Sequence, residues 1–465
     1  MSGRVGFHDF EADVGGVVSI DIAAEPPLEP IAEEITPLRG GAYGYAMALI
    51  MTVSVVNYID RQVMNIVAEP IKHDLHLKDA QLGLLTGLAF GVLYTLLGVP
   101  IARLAERSDR PRIVAVAAGV WSVFTVLSAT VVNFGQLALV RVGVGFGEAG
   151  CVSPSHSLIM DYAPREKRGS AMSLFGMTPQ MGSLVGLALG GLVASFYSWR
   201  IAFVVAGLPG LLLAVLVALS LPEPRRAMKQ RAKAKADVPS LLALLRLVAP
   251  KRSYWVLNAA ITLNVFVAIA SGPFVAPFFL RNHAADLAAM ASGVHLKPLG
   301  FLGLVMGCAL GVGGAFGAWS GGAITDRIVR KDSRRYLYGP AAAILLWVPV
   351  FFAVLSVKSL GLALGLLFLQ GWLSGFWYGP AFVAWLSLVK PNMRATNSAL
   401  SLFISNLVGL GLGPWSLGLL SDHFAKQMGS GPGLRAALLT VGSLQLLTSF
   451  LFWLAAKTFR QDQEV

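Results

Sequence analysis

The chain has 465 residues, 55% hydrophobic and only 13% charged, with a mean hydropathy of +0.66. A soluble globular domain carries about 25% charged residues, so a soluble enzyme or binding module is excluded. The formal net charge of +12 would suit nucleic acid, but the basic residues follow the loops of a membrane topology and no nucleic-acid partner is expected.

Residues 1–40 hold eight Asp or Glu against two Arg and read as a disordered cytosolic tail, with no cleavable signal peptide visible. Twelve apolar runs follow, at 43–67, 81–102, 113–133, 135–158, 170–194, 201–221, 254–280, 299–323, 337–357, 361–388, 396–420 and 436–456. About 20 apolar residues cross a bilayer as a helix. The runs are too long, and alternate too little, for a β-barrel. The expected fold class is an all-α membrane protein of twelve transmembrane helices (spans 1 to 12) in two six-helix pseudo-repeats. Its layout is a bundle at 41–222, a basic linker at 223–253, a second bundle at 254–458 and a tail at 459–465. With the N-terminus in the cytosol, 25 of the 37 Lys and Arg fall on inward loops and the C-terminal tail, against 8 on outward loops. That bias sets both termini inside, in a multi-pass protein expected in a bacterial inner membrane.

Cys151 and Cys308 both fall within spans, which argues against an outward disulfide. The seven His residues show no metal spacing, and neither a metal nor a cofactor is implied. The linker is strongly basic from Arg225 to Lys235 and suits anionic headgroups. Its segment from Pro239 to Val248 carries a short helical apolar pattern and is expected to form an interfacial helix.

The halves repeat. "RGSAMSLFGM" at span 5 matches "TNSALSLFIS" at span 11, and "SWRIAFVVAGLPG" matches "GLRAALLTVGSLQ", pairing Arg200 with Arg435. "ARLAERSDRPR" after span 2 matches "GGAITDRIVRKDSRR" after span 8. Two parallel repeats with a site between them is a transporter architecture.

These strings also carry a family resemblance. Gly98 to Arg112 and Gly317 to Arg335 look like the cytosolic acid–arginine motif of the major facilitator superfamily. "LVRVGVGFGEAG" resembles its fourth-span motif, and "GMTPQMGSLVG" its fifth-span Gly-Pro motif. Within the superfamily, "NYIDRQ", "RVGVGFGEA" and "YAPREKRGSAMS" are similar to the Spinster family, which moves lysolipids and sphingosine-1-phosphate. The first-half motif departs from the pattern at Ala102, Glu106 and Asp109, whereas the second half keeps Gly322, Asp326 and Arg327.

Asp60, Arg61, Arg141 and Glu148 lie well inside spans, where each charge costs about 2.5–3.5 kcal/mol. Arg141 and Glu148 are nearly two turns apart on one face of span 4, and Asp60 on span 1 falls at the depth of Arg141. The fold that the superfamily resemblance implies places spans 1 and 4 together, so a pair Asp60–Arg141 is expected, and the glycines at 143, 145 and 147 let a helix or ligand approach span 4. One reading is a structural ion pair locking span 1 to span 4. The other is a proton-coupled site, in which Arg141 holds an anionic headgroup while Asp60 and Glu148 titrate. The Spinster resemblance implies those same roles. Asn57, Tyr58 and Arg61 are further candidates on span 1; Arg61 is turned about 100° from Asp60, toward an outer vestibule or the interface.

Spans 7 to 12, over the ranges above, contain no Lys, Arg, Asp or Glu. They offer Asn264, Trp372, Phe376 and Trp377 instead, so a chamber charged on one wall and apolar on the other is expected, suited to an amphipathic anion. At the cytosolic ends, Glu106 and Asp326 are expected to meet helix N-termini and the arginines Arg107, Arg110, Arg168, Arg327 and Arg394, gating the halves. No nucleophile–base pair is found in the spans, which disfavours an enzyme. The expected function is a proton-coupled secondary transporter that works by alternating access and moves an amphipathic anionic lipid (lysophospholipid or sphingosine-1-phosphate-like), with the lipid-like substrate, protons and membrane lipids as partners and the chain acting as a monomer. Small organic anions or hydrophobic drugs are the alternative cargo.

Overall fold

The computed structural model describes residues 38–225, 241–329, 332–390 and 393–463. The expected acidic tail up to residue 37 and the basic linker stretch 226–235 lie outside the described residues. Among the described residues every regular element is a helix, and eleven are long and apolar enough to cross a membrane. The twelfth crossing, span 4, is interrupted: Phe134–Glu148 ends and Val152–Tyr162 resumes, with the break directly after the buried Glu148.

In chain order, span 1 is Gly40–Ile66, span 2 is Asp79–Thr86 followed by Leu88–Arg107, and span 3 is Arg110–Leu127. Span 5 is Arg168–Phe175 followed by Thr178–Phe196, and span 6 is Trp199–Ser220. In the second half, span 7 is Arg252–Asn282, span 9 is Arg335–Ser356 and span 12 is Ser430–Asp462. Span 8 joins Pro298–Gly307 to Gly313–Val329 through a π-helical turn, Cys308–Val312. Span 10 is Leu360–Phe376 followed by Tyr378–Leu386. Span 11 joins Arg394–Asn406 to Gly413–Met428 through a second π segment, Leu407–Leu412.

Short polar side chains start several spans. Asp109, Asn133, Ser198 and Ser359 each accept a backbone N–H three residues on, satisfying a donor that the first helical turn leaves open. Pro179, expected to kink span 5, instead lies in the first turn of the resumed helix, where a missing N–H does no harm. Pro209 does sit inside a continuous helix.

Twelve crossings leave both chain ends and the linker at one end, here the termini end. The short helices Ala68–Asp74 and Ala284–Gly293 lie at the opposite, far end. The linker helix forms over Leu241–Val248, as its apolar pattern predicts. The C-terminal segment from 459 is not a separate tail: span 12 continues to Asp462, whose carboxylate accepts from Ser253 N–H at 2.8 Å and Ser253 Oγ at 2.7 Å, capping span 7.

The halves meet along two helix pairs, span 2 with span 11 and span 5 with span 8. Both depend on glycine. A Cβ on Gly83 would stand 2.1 Å from the Pro414 carbonyl oxygen, and one on Gly303 2.4 Å from that of Leu187. Backbones this close maximise van der Waals contact where lipid supplies no hydrophobic drive.

Candidate functional site with crossed ion pairs

Span 1 presents Asp60 and Arg61 to span 4, and the two helices are cross-linked twice. Arg141 Nη1 donates to Asp60 Oδ2 at 3.1 Å, and Thr125 Oγ1 donates to Asp60 Oδ1 at 2.8 Å. Arg61 Nε and Nη2 donate to Glu148 Oε2 at 2.7 and 2.6 Å. The expected pair Asp60–Arg141 is present. The expected vestibule position of Arg61 is not: the side chain turns inward to Glu148, because a carboxylate fully closed off from water needs a charge partner.

Aromatic rings seal the quartet. The Arg61 guanidinium lies 4.7 Å from the centroids of Phe90 and Tyr94 and 5.4 Å from Tyr58, and Arg141 lies 5.3 Å from Phe90. Each contact is a cation–π geometry. Asp60, Arg141 and Glu148 are at most 2% exposed, whereas the Arg61 side chain is 20% exposed. The expected chamber wetting all three is therefore corrected in this state. The accessible members are Arg61 and the half-buried Tyr58. Three polar atoms behind them, Arg141 Nε, Glu148 Oε1 and Asn57 Nδ2, are buried without a partner. The span 4 glycines admit helices, not a ligand: Gly145 packs on the Phe90 carbonyl and Gly147 on the backbone of Trp121.

The second-half candidates make contacts within their own half. Asn264 is 4% exposed and accepts from Gln445 Nε2 at 2.9 Å, which places it between spans 7 and 12 and not on a chamber wall. Trp372 Nε1 donates to Ser320 Oγ at 2.9 Å across spans 8 and 10, and Phe376 packs edge-on against Trp372. Trp377 leans on Phe452 of span 12. Aromatic residues on span 10 are thus largely consumed by contacts within their own half.

An ion-pair cluster joins the halves at the far end, opposite the cytosolic end where gating contacts were expected. Arg281, one residue beyond the apolar run of span 7, donates to Glu69 at 2.8 and 2.6 Å and to Asp79 at 2.8 and 2.9 Å. Lys72 Nζ reaches Asp79 at 2.5 Å and Ser421 Oγ donates to Asp79 at 2.7 Å. The Asp422 carboxylate accepts from the N–H groups of Asp79 and Ala80, at 3.0 and 2.9 Å, so span 11 caps span 2. This joins the halves by the same physics expected of Glu106 and Asp326, a carboxylate at a helix N-terminus beside an arginine. The signal was the pattern "FLRNH", a single arginine closing an apolar helix, which loop counting had assigned to topology.

At the termini end the expected inter-half links are absent among the described residues. Arg110 is buried within the first half, where it bonds Glu223 and, through Nη1, Asp161 at 2.6 Å and Ser157 at 2.8 Å. Arg168 donates to the Ala163 carbonyl. Asp326, Arg327 and Arg394 are exposed. The side chains of Glu106 and Arg107 lie outside the described residues. Arg225, the second residue past Glu223, bonds Asp161 at 2.7 Å.

The Major Facilitator Superfamily model matches residues 50–414. The chain belongs to that superfamily. It is a transporter of Spinster type, not an enzyme. It is 30% identical over 417 residues to an MFS-type efflux pump of Mycolicibacterium smegmatis, covering 90% of this chain and 93% of that one. It is 25% identical to Protein spinster of Drosophila melanogaster, over 88% of this chain and 66% of that one. Among solved structures it is similar to a bacterial homologue of the human lysosomal transporter Spinster in an inward-facing, unoccupied conformation. There the TM-score is 0.80 and the identity 26%, over 92% of this chain and 99% of the other.

Proposed function

We propose that the protein is a monomeric, proton-coupled carrier that works by alternating access. Its cargo is an amphipathic anion of the lysophospholipid or sphingoid-phosphate class, and its membrane is a bacterial inner membrane with both termini in the cytosol. The observation that carries this reading is Arg61: a partly exposed guanidinium, ringed by Tyr58, Phe90 and Tyr94, whose one carboxylate partner among the described residues, Glu148, is fully buried. A phosphate headgroup arriving at Arg61 competes with Glu148 for the same N–H donors. Glu148, released from its cation in a dry site, then takes up a proton. Asp60 and Arg141 form the second such couple, opened when the rings move apart. Each ligand thereby biases the other's affinity, which is coupling. The rings accept an acyl chain beside the charge. With the far end locked by Arg281, the state described is the inward-facing one.

The test is uptake into liposomes driven by a pH gradient. Glu148→Gln and Asp60→Asn should each abolish the dependence on the gradient while leaving exchange of substrate between equal pH values. Gradient-driven uptake that persists in both variants rejects proton coupling at these residues. Loss of lysolipid binding in Arg61→Ala and Arg141→Ala tests the headgroup assignment. The likeness to a mycobacterial efflux pump favours a second cargo, small organic anions or hydrophobic drugs. A thermal-shift screen of lysolipids, aromatic acids and cationic dyes separates the two.

A further inference from the structure

Two arginines at matching places in the repeats have different surroundings. Arg200, at the start of span 6, donates to Asp74 Oδ2 at 2.6 Å and to the Val131 carbonyl at 3.2 Å, and stacks on Trp199. Arg435, its counterpart at the start of span 12, makes no hydrogen bond or ion pair to any described residue, although its Nε is closed off from solvent. A buried guanidinium N–H without an acceptor is unfavourable, because it has lost water and gained nothing.

Arg435 lines a pocket of about 260 Å³ at the far end of the second half. The other walls include Asn282, the last residue of span 7, His283 and Asp286 just after it, and Ser356 to Lys358 at the end of span 9. These are the places from which Asp74 and Val131 serve Arg200 in the first half. Lys358 is exposed and has no ion-pair partner among the described residues. The one carboxylate, Asp286, is exposed and forms no ion pair with either cation. Two unpaired cations therefore face a small polar space in which the acceptor supplied by Asp74 in the first repeat has no equivalent.

We propose that this pocket is a binding site for a phosphate-class anion, distinct from the central quartet. The anion takes the place that Asp74 holds beside Arg200, accepting from Arg435 and Lys358. The chemistry is shared by free phosphate and by the headgroup of an anionic lipid in the adjoining leaflet. The inference does not depend on the cargo or on proton coupling.

The full-length protein in nanodiscs distinguishes the sources. One arm titrates inorganic phosphate in neutral phosphatidylcholine discs and follows thermal stability. The other replaces part of the lipid by phosphatidylglycerol and follows retained lipid by native mass spectrometry. Saturable stabilisation by phosphate alone assigns a free anion, and retention of phosphatidylglycerol alone assigns a headgroup. In either case Lys358→Gln should weaken binding roughly tenfold, the worth of one charge-assisted hydrogen bond, and Asp286→Asn should strengthen it. Lys358 is exposed, so its variant folds even if Arg435→Gln does not. The proposal is overturned if neither probe binds, if Lys358→Gln binds as the wild type does, or if Asp286→Asn weakens binding.

Discussion

Arg110 sits wholly buried at the start of span 3 between Glu223 and Asp161. Burial alone would raise the Glu223 carboxyl, but hydrogen bonds from the Arg110 side chain and from the backbone N–H groups of Arg110 and Arg225 outweigh it and hold the group below its ordinary range. A carboxyl that titrates lower when folded adds stability that is complete above its unfolded value of about 4.3. That stability is lost as the pH falls through the folded value. Glu223→Gln should therefore melt lower at neutral pH, by about 1–3 kcal/mol of stability, and lose less on acidification than the wild type. Melting curves in detergent between neutral and acid pH check both slopes. Arg281 makes a sharper case, because its removal leaves Glu69 and Asp79 buried and without their main cation. Breaking such a buried pair costs about 3–5 kcal/mol. That cost falls only on the state whose far end is closed, so Arg281→Gln should move the population toward the opposite state. Distances between spin labels on spans 1 and 7 at the far end should lengthen; unchanged distances would show that the lock carries no conformational weight.

Among the elements, the two inter-half helix pairs share one design. Span 2 breaks at Gly87, whose Cβ would meet the Leu410 carbonyl oxygen at 2.8 Å, inside the π segment of span 11. Span 5 breaks after Phe175, and Gln180 and Leu184 beyond the break press on Gly311 in the π turn of span 8. An interrupted helix in one half thus faces a widened turn in the other, and such turns are places where a helix changes direction. Gly83→Val would force span 2 off Pro414 and Trp415. It should disfavour the described state, raising the reactivity of a cysteine placed at the far end while leaving each half folded. Equal labelling in variant and parent would count against the pair as a moving contact.

For the whole molecule, much could be read from the residues and some could not. The twelve crossings were legible because apolar runs of about 20 residues have few other uses. Asp60–Arg141 was legible because charges inside a span demand partners, the depths matched, and the superfamily resemblance put spans 1 and 4 side by side. The partner of Arg61 was not, because the reach of a guanidinium across a helix interface is not encoded in spacing along one chain. Arg281 was missed for a different reason: one residue past an apolar run, it is indistinguishable by count from the loop charges that set topology. Asn264 and the span 10 aromatics were assigned to a chamber from their chemistry, but contacts within their own half decide which way a side chain points. The C-terminal segment looked like a tail because its polar composition hides the cap that Asp462 places on span 7.

The bond from Arg225 to Asp161 ties the last described residue before the linker to the first half, and the helix at Leu241 is the first described element after it. Between them run the fifteen residues from 226 to 240, which can span at most about 50–54 Å when fully drawn out. A linker of that many residues can bridge a separation that changes by a few ångströms. Shortened to about five residues, with a reach of about 17–18 Å, it would become a brake. Residue count between the bundles, and not charge alone, then bears on the movement that the proposed cycle requires.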